Sequence, residues 1–83
     1  MPQIKFEEIS RKETIEADGK KKIIMNVIAH VLVSGEEFHF QFTARYDEGF
    51  VFYDDGYIRE QLLDARLVAL FRPSLREWMK QQI

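Results

Sequence analysis

The chain contains no cysteine. That excludes disulfides, thiolate metal sites and a thiol nucleophile together. Small secreted domains commonly depend on such crosslinks, so their absence points to the cytoplasm. Proline occurs twice, as Pro2 and Pro73, and glycine four times, as Gly19, Gly35, Gly49 and Gly56. Each glycine falls at a predicted turn, which leaves none to cradle a phosphate. No P-loop, no G-x-G-x-x-G and no G-x-S-x-G nucleophile elbow is present. The longest apolar run free of Asp, Glu, Lys and Arg, residues 23–33, is too short to cross a bilayer as a helix. No apolar stretch follows a basic start, so no signal peptide is predicted. The expectation is a chain without catalysis, cofactor or membrane span.

What is present fits one small globular domain over residues 1–83. A hydrophobic share of 46% is too high for disorder. The net charge of -2 hides an uneven distribution. Residues 1–22 hold six basic and five acidic groups, and 36–55 hold one basic and six acidic. Residues 56–83 hold five basic and three acidic. The acidic middle disfavours general nucleic-acid binding, which rests on phosphate neutralisation.

Residues 23–46 are the centre of the fold. Phe38, Phe40, Phe42, Ala44 and Tyr46 alternate with His39, Gln41, Thr43 and Arg45, and a period of two is that of a strand with one apolar face. A run rich in β-branched residues, Ile23 to Val33, precedes it, and Ser34-Gly35-Glu36-Glu37 lies between. This pattern predicts a β-hairpin. A turn at Ser34-Gly35 pairs Val33 with Glu36, and one at Gly35-Glu36 pairs Ser34 with Glu37. Either register sets Ile23, Met25, Val27, Ala29, Val31 and Val33 on the phenylalanine face. The other face takes Ile24, Ile28 and Leu32, so this strand is apolar on both sides, as central strands are.

Gln3 to Ile9 predicts a first strand, with Ala17-Asp18-Gly19 as a three-residue hairpin loop. Ile4 and Phe6 are even-numbered while Ile9 and Ile15 are odd, which requires a bulge or break near residues 9–13. Lys20-Lys21-Lys22 reads as a solvated edge. Phe50 to Tyr53 predicts a short fourth strand after Asp47-Glu48-Gly49. A three-residue loop there pairs Tyr46 with Phe50 and sends Phe50 and Phe52 to the phenylalanine face. Asp54 or Asp55 then caps a helix over residues 57–71. Pro73 ends or kinks it, and Ser74-Leu75-Arg76-Glu77 has the form of a capping box for a last segment to Ile83. The fold class is α+β, a three- to four-stranded antiparallel meander followed by one or two C-terminal helices on one sheet face. In layout alone this resembles coactivator-type single-strand DNA-binding proteins, none of whose motif residues is present, and layout does not carry function.

Four groups of residues are candidates for function. The phenylalanine row could stack bases, but its members share a face with Val27 and Val31 and read as core. His30, His39 and Glu37 share the other face without metal-ligand spacing, so no metal site is expected. Asp47, Glu48, Asp54 and Asp55 bracket the short strand and do not match a calcium loop. Arg72, Arg76 and Lys80, at i, i+4 and i+8, form a basic stripe that phosphates or an acidic partner could use, although Glu77 is interleaved. On one continuous helix, Leu63, Leu67, Leu70 and Phe71 form a second apolar stripe away from Ile58, Leu62, Ala65 and Ala69. A helix lying on a sheet needs only one stripe. The surplus predicts a homodimer interface at Leu63, Leu67, Leu70 and Phe71. The functional expectation is a small protein-interaction module in the cytoplasm. The alternative is a nucleic-acid-associated regulator that uses the basic helix.

Overall fold

The hairpin of residues 23–46 forms and is the middle of the sheet. A computed structural model describes residues 2–83. Its strands are β1 (Gln3–Ile15), β2 (Lys21–Val33), β3 (Glu36–Asp47) and β4 (Phe50–Phe52), followed by the helices α1 (Asp55–Gln61) and α2 (Ala65–Gln82). The strands pair antiparallel in the order β1-β2-β3-β4. Val33 pairs with Glu36, so Ser34 and Gly35 form the turn, both at positive φ. That is the primed geometry whose twist matches the flanking strands.

The bulge required by parity lies at Ile9. Glu8 faces Val27 and Ser10 faces Asn26, so Ile9 has no partner. Before it, Ile4 and Phe6 pack against the core. After it, the odd residue Arg11 takes the inward phase opposite Met25. There Arg11 meets Glu8 and Glu13 and donates to the Gln82 carbonyl at 3.0 Å, a cation at the negative end of α2. Lys20, Lys21 and Lys22 do not guard an edge, because β2 is central. They form ion pairs with Glu48, Glu13, Glu16 and Asp47 around the β1–β2 turn.

One sheet face is covered by helix. Ile23, Met25, Val27, Ala29 and Val31 of β2 and Phe40, Phe42 and Ala44 of β3 are buried there, as their alternation predicted. Against them α2 sets Leu67, Phe71, Leu75 and Met79, spaced by four along one stripe. Phe71 is the hub, with ring centroids 5.6 Å from Phe6, 5.3 Å from Phe42 and 5.2 Å from Tyr53. Ile58 of the shorter α1 and its C-cap Leu62 complete the layer.

Four expectations for the C-terminal half are corrected. Residues 57–71 are not one helix. It stops after Gln61, and Asp64 caps a new one by accepting from the Arg66 N–H at 2.8 Å. Pro73 does not end α2 but lies inside it. Pro73 and Ala69, whose carbonyl the ring leaves without an N–H, are both exposed, so water can serve that carbonyl. The cost, about 3 kcal/mol, is outweighed by four buried side chains at ~1.5–3 kcal/mol each. Ser74 and Glu77 consequently sit mid-helix and cap nothing. Finally, β4 begins after a two-residue turn, Glu48-Gly49, and Asp47 pairs with Phe50. The shorter loop reverses the phase: Val51 enters the core, and Phe50 and Phe52 point to the other face.

Candidate interaction surface

The sheet face opposite the helices is uncovered, and the pairing arranges it in cross-strand rows. Ser10, Asn26 and Thr43 form a polar ladder across three strands. Asn26 Nδ2 donates to Ser10 Oγ, and Thr43 Oγ1 donates to Asn26 Oδ1, each at 2.9 Å. Towards the hairpin tip, His30 and His39 are directly opposed with ring centroids 6.0 Å apart. His30 Nε2 lies 3.0 Å from a Glu7 carboxylate oxygen. Lys5, Glu37, His30 and His39 line a shallow hollow of about 320 Å³. No three His, Asp or Glu side chains converge to hold a metal among the described residues.

Towards β4 the face turns apolar. Ile24, Arg45 and Phe52 form one cross-strand row, and Phe50 lies in the next. Ile24 is 43% exposed, Phe52 46% and Phe50 63%. The Arg45 guanidinium carbon stands 4.6 Å from the centre of the Phe52 ring, a geometry in which the ring's negative face attracts the cation. The residue preceding each turn glycine was the available signal: Ser34-Gly35 and Glu48-Gly49 are the same X-Gly turn. Reading the second like the first places Phe50 and Phe52 outside.

The predicted site residues separate. Leu67 and Phe71, expected at a dimer interface, are 2% and 0% exposed inside the core, which is the correction that the helix break imposes. Ile58 belongs to α1 and Leu62 is its C-cap, whereas Leu67 and Phe71 belong to α2. Each stripe is split: Ile58 and Leu62 of the first and Leu67 and Phe71 of the second face the sheet, while Ala65 and Ala69 lie exposed on α2. Leu70 is half-buried, and only Leu63, in the link between the helices, stands free at 92% exposure. The basic stripe divides as well. Arg72 is engaged by β4: Nη1 donates to the Val51 carbonyl at 3.3 Å, and the guanidinium carbon lies 4.8 Å from the Tyr53 ring centre. Burial pushes the Tyr53 phenol upward in pKa, opposed by Arg72. Arg76 joins Arg72 beside Phe50, Val51, Phe52 and Tyr53 along a groove of about 260 Å³. Lys80 lies in the last turn of α2, where a cation complements the helix dipole. Among the described residues Arg45, Arg72, Arg76 and Lys80 have no carboxylate partner within ion-pair distance, whereas Arg59 and Arg66 are paired with Asp55 and Asp64.

Fold and surface together define an α+β chain with a four-stranded antiparallel meander, helices on one face and the other face open. Comparison with protein-family models, curated proteins and solved structures finds no match. No helix among the described residues is long and apolar enough to cross a membrane.

Proposed function

We propose that this chain is a small non-enzymatic interaction module, cytoplasmic and homodimeric, that acts by binding protein. The observation that supports this most is the apolar corner of the open face, where Ile24, Phe50 and Phe52 lie exposed around Arg45. Exposed aromatic and arginine side chains are the residue types that dominate protein–protein hot spots. Light scattering and sedimentation at rising concentration test the reading. The mass rises from 9.9 kDa towards twice that value. A mass that stays at the monomer value at high micromolar concentration refutes self-association.

A second reading has its own support. Arg72 and Arg76 line the groove beside Phe50, Phe52 and Tyr53, and Arg45 stands over the Phe52 ring on the open face, all without carboxylate partners among the described residues. Cations beside exposed rings suit single-stranded nucleic acid, with phosphates on the arginines and bases on the rings. Titration with single-stranded oligonucleotides at several salt concentrations separates the two. Binding that weakens steeply with salt favours the regulator, and no binding at low salt removes it.

A further inference from the structure

We propose that two copies of the chain join edge to edge through β4, on a two-fold axis at Val51, so that two four-stranded sheets become one continuous sheet. This rests on the self-association reading above and names its surface. The sheet has two edges, β1 and β4. β1 carries Lys5, Glu7, Lys12 and Glu13 and is interrupted by the Ile9 bulge, the devices by which proteins keep edges from pairing. β4 reads Phe-Val-Phe; its three-residue length is its one protection, and it carries no charge, proline or bulge.

The hydrogen-bond phase of β4 selects the register. The Glu48-Gly49 turn closes on the Asp47–Phe50 pair, and Arg45–Phe52 has the same phase. Phe50 and Phe52 therefore direct their backbone groups to β3, and Val51 directs its N–H and C=O outward. The Arg72 contact to the Val51 carbonyl shows that direction. A second β4 laid antiparallel exchanges both bonds between the two Val51 residues. A carbonyl oxygen has two lone pairs, so Arg72 can stay in place.

The same register sets Phe50 of one copy opposite Phe52 of the other, twice, on the helix-free face. This is the self-complementarity that a two-fold interface needs, and aromatic cross-strand pairs stabilise sheets. It covers the two most exposed phenylalanines of the chain. The pairing extends at most to Gly49 against Tyr53, because beyond it Glu48 would approach Asp54 of the other copy, and like charges opposite one another are unfavourable. The two rings offer only about 200 Å² per copy, against the ~800 Å² per partner of a standard interface. The dimer is consequently reversible, forming at high micromolar concentration.

The absence of cysteine makes the register testable. Phe50→Cys and Phe52→Cys each introduce one thiol at an exposed position. Opposed non-hydrogen-bonded residues have Cα atoms about 4.5 Å apart, within disulfide reach. Like positions lie on the diagonal at about 7–8 Å. Under mild oxidation a mixture of the two variants yields a mixed crosslinked dimer, and each variant alone does not. Phe52→Glu, which sets a carboxylate against Phe50 of the other copy, weakens self-association by about tenfold or more. If the parent dimerises but the mixture does not crosslink selectively, or Phe52→Glu leaves the affinity unchanged, the β4 interface is wrong and the interaction reading stands. A parent that is monomeric at high micromolar concentration overturns both.

Discussion

Phe71→Ala removes the ring on which the two layers of the structure meet. Phe71 is fully buried, and its ring lies within 6.3 Å, centroid to centroid, of Phe6, Phe40, Phe42 and Tyr53. A buried Phe→Ala change costs roughly 3–5 kcal/mol through lost transfer energy and the cavity left behind. Aromatic pairs contribute about 0.5–1.5 kcal/mol each beyond their area, so the upper end of that range, near 5 kcal/mol, is expected. A chain of this length has a total stability of about 4–12 kcal/mol. At about 4–8 °C per kcal/mol, the melting temperature falls by at least 20 °C. Urea and thermal unfolding are to be followed by far-UV circular dichroism and by the fluorescence of Trp78. The Trp78 ring lies 5.5 Å from Phe6 and so reports the β1–α2 contact separately. Phe71→Leu keeps most of the volume but loses the ring contacts, so it costs less than Phe71→Ala and more than the ~1.5 kcal/mol of a volume-conserving swap. A Phe71→Ala protein that stays folded, melts within a few degrees of the parent and loses self-association would refute this packing and return Phe71 to an intermolecular interface.

Pro73→Ala restores an N–H inside α2 at an exposed position and raises the melting temperature. The gain is about 2–2.6 kcal/mol, a helix-interior proline penalty near 3 kcal/mol less the ~0.4–1 kcal/mol of entropy that proline removes from the unfolded chain; a lowered melting temperature contradicts it. Asp64 is held at a pKa of about 2, below the ordinary 3.8, first by the Arg66 side chain and then by the Arg66 N–H. A carboxylate depressed on folding stabilises above its unfolded pKa and loses that contribution as pH falls through the folded one. Part of the stability of α2 therefore disappears between about pH 4 and pH 2. Asp64→Asn, which keeps an oxygen for the cap, shows a shallower acid dependence of helical signal in that window, and an identical profile excludes the role. Micromolar zinc leaves the melting temperature unchanged, since a ligand that binds only the folded state must raise it; a rise that disappears in both His30→Ala and His39→Ala would establish a metal site between the two histidines.

Local rules made much of the fold legible. The period of two in residues 38–46 and the β-branched run before it could satisfy their backbone and bury one face only as a hairpin, and that hairpin is present with the expected inward set. The odd–even conflict of Ile4 and Phe6 with Ile9 and Ile15 pointed to a bulge or break near residues 9–13. The register shifts at Ile9, although Ile9 and Ile15 both stay exposed and Arg11 takes the inward phase. Of the two aspartates that could cap α1, Asp54 or Asp55, Asp54 does so. These features depend on neighbours within a few residues, so the sequence alone determined them.

What tertiary structure decided was phase. Residues 57–71 have helical propensity throughout, and nothing local separates one helix with two stripes from two helices with one stripe each. Burial against the sheet chose the second by resetting the rotation at Leu63 and Asp64, which brings Ile58, Leu62, Leu67 and Phe71 all inward. The same burial carries α2 through Pro73, because the inward row Leu67, Phe71, Leu75 and Met79 is worth more than one missing hydrogen bond. At Glu48-Gly49 a single residue of loop length decided which aromatics meet water. Val51 enters the core, and Phe50 and Phe52 become the exposed corner beside Arg45. A strand shifted by one residue exchanges its two faces; the Glu48-Gly49 pair permits the shorter loop, and the burial of Val51 in the core fixes it.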